Sequence, residues 1–138
     1  MTVRVGINGF GRIGRNFYRA LVAGGADVQV VAVNDLTDNA TLAHLLKYDS
    51  ILGRFPGEVT FTEDTITAGT HTMKTLAQRD PAALPWGELG VDIVIESTGH
   101  FVDAAGAGLH LTAGAKRDLG SLKGGDVVGL KIDGGQLY

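Results

Sequence analysis

The sequence contains no cysteine. This absence excludes disulfides, thiolate nucleophiles and cysteine metal ligands. No apolar run approaches the roughly 18 residues of a membrane helix, and the first residues lack the charged and apolar regions of a secretory signal. The formal net charge of -3 gives no overall basic field for nucleic acid or an anionic membrane. We therefore expect a cytoplasmic protein with no nucleic-acid or membrane partner.

Glycine, in contrast, is abundant. The chain has 21 glycines in 138 residues, about twice the usual share of roughly 7%. With 44% hydrophobic residues, a chain of this length is expected to form one domain with its own core. Some of the glycines form a motif near the amino terminus, and the motif is the first indication of function.

The motif joins a predicted strand to a predicted helix. Val3–Ile7 is a short apolar run, and Arg12–Ala23 carries Ile13, Phe17, Ala20 and Leu21 at the spacing of a helix packed on a sheet. Gly9, Gly11 and Gly14 have the spacing G-x-G-x-x-G. The first glycine allows a sharp turn, the second leaves room for a pyrophosphate, and the third lets the helix approach the strand. This arrangement predicts a dinucleotide site at the helix amino terminus; the alternative is a tight turn that binds nothing.

An acidic residue follows the second predicted strand. Val28–Val33 is β-branched and nearly continuous in apolar character, as expected for a strand buried in a parallel sheet. Asp35 comes just after it, where a carboxylate accepts hydrogen bonds from the adenosine ribose. Because a carboxylate repels a 2′-phosphate, Asp35 favours NAD over NADP.

The remaining pattern predicts an α/β fold, a Rossmann-like doubly wound, mostly parallel sheet with a small antiparallel hairpin or meander insertion. A helix carrying Leu42, Leu45 and Leu46 is capped by Thr37, Asp38 or Asn39 and closes near residues 48–49. The further predicted elements are short strands at 59–61, 65–68 and 72–74, a rigid connection at Pro81 and Pro85, a buried strand at 91–96, a turn at 97–99 and a helix at 102–113.

Six stretches carry a family resemblance in order and spacing. They are residues 6–15, 33–35, 44–50, 78–81, 85–87 and 94–99. With them, the segment from Val3 to Lys116 resembles the amino-terminal, NAD-binding part of bacterial phosphorylating glyceraldehyde-3-phosphate dehydrogenases. The resemblance implies NAD as cofactor, bound between the first and fourth parallel strands.

The resemblance also implies residue roles. The pyrophosphate and adenosine pocket would be lined by Asn8, Gly9, Phe10, Gly11, Arg12 and Ile13, with the Arg12 and Ile13 amides on phosphate and Gly14 in the same motif. Asn34 and Asp35 would lie at the adenine ribose, and Arg79 beside the adenine, mainly through its backbone. The adenine side would be closed by Ser97, Thr98, Gly99 and Phe101.

The chain departs from the family after Lys116. The family continues into an apolar strand and a nucleophile motif that contains cysteine, whereas residues 118–138 match no family segment. We expect a Rossmann domain over 1–117 and a tail over 118–138, with a loop at 118–125 and a strand at 126–132 that adds to the same sheet. We expect such a chain, a natural remnant or an engineered chimera, to lack the catalytic domain and to have no dehydrogenase activity by itself.

Other residues offer no second chemistry. The histidines at 44, 71, 100 and 110 have no metal-binding spacing, and no catalytic residue or metal site is predicted. Glu63 with Asp64, and Asp133 with Glu96, are interpreted as solvated loop charges. Two alternatives stay open: a scaffold that presents the tail to a protein partner, and a homodimer formed through an exposed apolar face. ADP or ADP-ribose is expected to bind about as well as NAD.

Overall fold

The computed structural model describes residues 3–24, 27–50, 52–98, 117–119, 132–133 and 136–137. Its elements are β1 (Val3–Asn8), α1 (Arg12–Gly24), β2 (Val28–Asn34), α2 (Asn39–Lys47), β3 (Tyr48–Asp49), β4 (Gly53–Arg54), β5 (Val59–Phe61), β6 (Thr65–Ala68), β7 (His71–Leu76), a short 3-10 helix (Pro81–Ala83), β8 (Ile93–Glu96), β9 (Arg117–Leu119), β10 (Ile132–Asp133) and β11 (Gln136–Leu137).

Seven of these strands form one sheet, in the order β5-β6-β7-β2-β1-β8-β9. The run from β7 to β9 pairs in parallel, whereas β5, β6 and β7 form an antiparallel meander. Strand β7 joins the two parts, because it pairs with β6 on one side and with β2 on the other. The predicted fold class is confirmed, including the meander insertion.

The strand order reverses at β1. From β1 the chain passes to β2 on one side, and later enters β8 on the other side. Adjacent connections that leave in opposite directions open a crevice at the carboxyl ends of the strands. In the register of these strands, Asn8 pairs with both Asn34 and Glu96. Three polar residues therefore end three neighbouring strands in one row.

The two faces of the sheet carry separate cores. On one face, Val5 and Ile7 pack with Phe17 and Leu21 of α1. On the other face, Ala32 and Val94 pack with Trp86. Because side chains alternate along a strand, Asn8, Asn34 and Glu96 lie on the same face of the sheet as Trp86.

Helix α1 buries only part of the predicted stripe: Phe17 and Leu21 are confirmed as core residues. Gly14, Phe17, Tyr18 and Leu21 are buried, whereas Ile13 is 45% exposed and Ala20 is exposed. The prediction of Ile13 and Ala20 as core residues is wrong. Gly14 has no side chain, so the helix approaches β1 on the glycine side and rotates Ile13 outward.

The loop prediction for residues 118–125 is wrong at its start. Arg117–Leu119, of which 118–119 were predicted as loop, pairs in parallel with β8 at the sheet edge. Of the strand predicted at 126–132, only Ile132 is described, and it pairs with Leu137 in a two-stranded antiparallel sheet. The helix predicted at 102–113 lies outside the described residues. Within the described ranges, no helix combines the length and apolarity needed to cross a membrane.

The contact between Gly6 and Trp86 yields a stability prediction. A Cβ on Gly6 would lie 2.6 Å from the Trp86 ring, which is fully buried. Gly6→Ala should therefore lower the free energy of unfolding by about 1–3 kcal/mol through overpacking. Gly24→Ala is the control, because no atom lies within 4 Å of its Cβ position, and it should raise stability by at most about 1 kcal/mol. Urea unfolding measures both; equal stabilities would contradict the assigned packing.

The cap of α2 yields a prediction on acid stability. Asp38 accepts hydrogen bonds from the Thr41 amide and hydroxyl, both at 2.9 Å, and these bonds lower the pKa of Asp38. A carboxyl whose pKa is lower in the folded state stabilises the fold above its unfolded pKa, and this contribution is lost as pH falls through the folded pKa. The melting temperature of wild type should exceed that of Asp38→Ala at pH 7, with a smaller difference near pH 3. A constant difference between the two pH values would contradict the cap.

Candidate cofactor site

A cleft of about 300 Å³ lies at the carboxyl ends of β1, β2 and β8. Its described lining consists of Asn8, Gly9, Gly11, Asn34, Asp35, Leu36, Gln78, Ser97 and Thr98. The residues come from four separate segments of the chain, each of which follows or ends a parallel strand. The cleft therefore lies at the point where the strand order reverses, as the topology requires.

Gly9 makes the turn that leaves β1. Its φ is +93°, and a Cβ there would lie 2.8 Å from the backbone of Ser97 and Thr98. The Gly9 amide donates to the Asn34 carbonyl oxygen at 2.7 Å. Backbone from three strand ends thus meets at a point where only glycine fits.

Ser97 fastens the end of β8 to this turn. Its hydroxyl donates to the Gly9 carbonyl oxygen at 2.6 Å, and its amide donates to the Asn8 carbonyl oxygen at 2.8 Å. The wall formed by Ser97 and Thr98 is consequently fixed relative to the glycine turn.

Asp35 braces the same turn from β2. Its Oδ2 accepts a hydrogen bond from the Phe10 amide at 2.7 Å, and its Oδ1 accepts one from the Thr37 amide at 2.9 Å. Each carboxylate oxygen has a second lone pair, and Asp35 is partly exposed in the cleft. Asp35 can therefore hold the turn and accept ribose hydroxyl groups at the same time.

Gly11 and Gly14 differ in what surrounds them. A Cβ on Gly14 would overlap the Gly9 carbonyl oxygen and lie 3.1 Å from the Ser97 hydroxyl oxygen. A Cβ on Gly11 would meet no atom within 4 Å, and Gly11 is exposed in the cleft. Packing therefore requires Gly14, whereas the space in front of Gly11 suits a pyrophosphate that approaches the backbone.

The start of α1 supplies the positive end of a helix dipole beside Gly11. The first hydrogen bond of the helix runs from the Arg15 amide to the Gly11 carbonyl oxygen, at 2.9 Å. The amides before Arg15 therefore have no partner within the helix and point toward the cleft end of its dipole. Arg15 is held against the turn by a 3.0 Å bond to the Phe10 carbonyl oxygen, and burial followed by repulsion from Arg12 lowers its pKa. This end of the cleft fits a phosphate.

A buried chain of hydrogen bonds lies along the floor of the cleft. Asn8 Nδ2 donates to Glu96 Oε1 at 2.6 Å, and Asn34 Nδ2 donates to Asn8 Oδ1 at 2.7 Å. The Gln78 amide donates to Asn34 Oδ1 at 2.8 Å. Glu96 is fully buried and also accepts from the Thr98 amide and hydroxyl. The interpretation of Glu96 as a solvated charge is therefore wrong, because it ends a strand in the sheet interior.

The structure brings many of the predicted site residues together. Those that line the cleft are Asn8, Gly9, Gly11, Asn34, Asp35, Ser97 and Thr98. The others that are described lie beside it: the Phe10 ring is buried in the core against Tyr18, Gly14 is packed beneath the turn, and Arg12, Ile13 and Arg79 are exposed outside the lining. Gly99 and Phe101 lie outside the described residues.

Residues missed by the sequence interpretation are Leu36, Gln78 and Glu96. Gln78 and Leu36 line the cleft beside the predicted Arg79 and Asp35, so adjacency to the motifs was the available signal. Glu96 is the one charged residue of β8 and ends an apolar run. A lone carboxylate in a strand buried on both faces indicates a partnered polar group. In the core beneath the glycine turn, burial raises the pKa of Tyr18, which packs against Phe10, to about 12, so its phenol stays neutral.

The fold and the cleft define a Rossmann domain of the dinucleotide-binding class. Residues 3–104 match the sequence model described as glyceraldehyde 3-phosphate dehydrogenase, NAD binding domain. The chain belongs to the glyceraldehyde-3-phosphate dehydrogenase family, and this part of it is the family's NAD-binding domain.

Similar proteins support the assignment. Glyceraldehyde-3-phosphate dehydrogenase 1 of Streptomyces avermitilis is 69% identical over 117 residues, which cover 85% of this chain and 35% of that protein. The Streptomyces coelicolor enzyme is 66% identical over 119 residues (86% and 35%), and that of Mycobacterium avium is 68% identical over 123 residues (85% and 36%). The chain thus spans about 35% of the length of these relatives.

The two glycines with different surroundings give a paired prediction. Gly14→Ala should lower the free energy of unfolding by about 1–3 kcal/mol, since the new methyl group overlaps the Gly9 carbonyl. Gly11→Ala should stay within about 0.5 kcal/mol of wild type. Thermal and urea unfolding of both variants measure this. A large loss in Gly11→Ala would show that the position is packed and would contradict its assignment to open cleft.

Proposed function

We propose that the cleft binds the ADP-ribose half of NAD, with the pyrophosphate over Gly11 at the start of α1 and the adenosine ribose at Asp35. The observation that carries this proposal is the open Cβ position of Gly11 between two glycines whose Cβ positions are blocked. Packing accounts for Gly9 and Gly14, but it does not account for Gly11. A ligand that needs close approach to the backbone does account for it.

The residue roles follow from this placement. The amides of Arg12 and Ile13, in the first turn of α1, contact the phosphates. Arg79 lies next to Gln78 at the adenine side, where its backbone can contribute. Ser97 and Thr98 form the opposite wall, to which we also assign Gly99 and Phe101 from the resemblance. Asn34 lies behind the ribose and acts on the ligand through its neighbours.

The charge of Asp35 sets the preference between cofactors. Its two oxygens already accept backbone amides, which fixes the carboxylate at the edge of the cleft. A fixed carboxylate accepts ribose hydroxyl groups and repels a phosphate on the same ribose. NAD is therefore the expected ligand, and NADP is disfavoured.

We further propose that this domain contributes cofactor binding to the reaction for which its relatives are named, the dehydrogenation of glyceraldehyde 3-phosphate. The chain contains no cysteine and so supplies no thiolate of its own. Pairing of Arg117–Leu119 with β8 supports a domain that extends past the family match at residue 104. A homodimer, a protein partner for the tail and a cytoplasmic location stay predictions from the sequence.

Calorimetric titration tests the proposed ligand. ADP-ribose should bind within about threefold of NAD, and NADP should bind at least about tenfold more weakly, the ratio that 1.4 kcal/mol produces. Gly11→Val should weaken NAD binding by about tenfold or more because its side chain fills the space assigned to the pyrophosphate. Gly24→Ala is the control for an unrelated glycine and should leave affinity unchanged.

The outcome that contradicts the proposal is equally direct. If the folded protein gives no heat of binding at millimolar NAD, the cleft is not an NAD-binding site in this chain. Equal affinities of wild type and Gly11→Val would place the ligand elsewhere.

A further inference from the structure

We propose that Glu96 is a positioning residue of the cofactor cleft, which sets the Gln78 wall through Asn8 and Asn34 and the opposite wall through Thr98. The inference rests on the proposed binding of the ADP-ribose moiety. Glu96 does not line the cleft and is fully buried, whereas Asn8, Asn34, Gln78 and Thr98 all line it. We therefore expect Glu96 to act on a ligand through these neighbours rather than by direct contact.

In this chain of hydrogen bonds each group donates to the next one, from Gln78 through Asn34 and Asn8 to Glu96. The chemistry of the two end groups requires that direction. At one end, the Gln78 backbone N–H can only donate, so Asn34 must turn its Oδ1 toward it. Asn34 then presents Nδ2 to Asn8, and Asn8 must answer with its own Oδ1. This orientation leaves Asn8 Nδ2 facing the next group.

At the other end, a carboxylate offers only acceptors. Glu96 Oε1 accepts from Asn8 Nδ2, and Oε2 accepts from the Thr98 amide at 3.0 Å and from its hydroxyl at 2.7 Å. An N–H group at position 96 would face another donor whichever way it turned, because Asn8 Nδ2 lies on one side and the Thr98 amide on the other. The orientation of both asparagine amides is therefore determined by Glu96 and the Gln78 amide together.

Asn34 has no N–H group left for a ligand. Its Nδ2 donates one hydrogen to Asn8 Oδ1 at 2.7 Å and one to the Gln78 carbonyl oxygen at 2.8 Å. The side chain clamps both backbone polar groups of Gln78. Asn34 thus holds the Gln78 wall in place, and its own orientation depends on the chain that ends at Glu96.

Substitution of Glu96 by glutamine makes the dependence measurable. If E96Q keeps its oxygen toward Asn8, its amide group faces the Thr98 N–H. If E96Q turns its amide toward Asn8, both asparagines must rotate, and an Asn34 N–H then faces the Gln78 N–H. Either arrangement opposes two donors beside a buried side chain, so one wall of the cleft has to move.

A second substitution can reverse the chain. N34D places a carboxylate beside the Gln78 amide and requires Asn8 to donate in the opposite direction, toward position 34. In that orientation Asn8 presents an oxygen to position 96, which suits the amide of E96Q and repels the carboxylate of Glu96. The double variant N34D/E96Q should recover part of the lost affinity; recovery is partial because the Gln78 carbonyl loses its donor.

The experiment uses the full chain, with ADP-ribose affinity and ¹⁵N chemical shifts as readouts. E96Q should weaken ADP-ribose binding about tenfold and shift the Gln78 amide resonance in the free protein. Ile66→Ala is the matched control, because Ile66 is fully buried in β6, away from the chain of hydrogen bonds between Gln78 and Glu96. This variant should lose stability without a change in ADP-ribose affinity or in the Gln78 resonance. N34D alone should bind more weakly than N34D/E96Q.

Each result has one meaning. E96Q with the affinity of Ile66→Ala and an unmoved Gln78 resonance would overturn the positioning role. If E96Q does not fold, the comparison of N34D with N34D/E96Q decides, because a double variant that binds no better than N34D also overturns it. Absence of binding to wild type overturns the proposed function, and the Gln78 resonance in E96Q then reports on the hydrogen-bond chain separately.

Discussion

Buried polar side chains at the ends of parallel strands have to satisfy one another, because so little of their surface is open to water. In this protein the requirement applies to Asn8, Asn34 and Glu96, which are at most 4% exposed. Their hydrogen bonds exist only in the register that places Asn8 between Asn34 and Glu96. A slip of any one strand would leave a buried donor or a buried carboxylate unpaired. The polar row therefore ties the sheet register to the shape of the cleft above it.

Glycine serves two purposes around this row. Gly9 and Gly14 let backbone segments and α1 come close enough for the hydrogen bonds of Ser97 and Asp35 to form. Gly11 takes no part in that packing and leaves open space at the start of the helix. One motif thus builds the turn and keeps room for a phosphate. The family's cofactor function needs both properties.

Local patterns predicted the repeating structure well. The apolar runs gave β1, β2 and β8, the threonine-rich runs gave the meander, and the spacing of the glycines with Asp35 gave the position of the cleft. These features depend on short-range periodicity and on motifs, which the sequence displays directly. They define the backbone geometry of the site.

Long-range packing decided what the sequence pattern missed. Ile13 has the spacing of a core residue, but close contact at Gly14 rotates it outward. Glu96 is a residue type usually found at the surface, but here it pairs with Asn8 in a strand that lies between β1 and β9. Arg117–Leu119 gains strand structure from β8, although its own composition is typical of a loop. Such outcomes depend on which strands become neighbours, and periodicity carries no information on this.

The central claim is that one cleft, built on the polar row, receives the ADP-ribose half of the cofactor. A map of backbone amide shifts during titration with ADP-ribose tests it most directly. We expect the largest changes at Gly9, Gly11, Asp35, Gln78 and Thr98, which line the cleft from separate segments. Changes confined to residues such as Phe61 and Glu63, which line a neighbouring cavity, with Gly11 and Thr98 unmoved, would contradict the account.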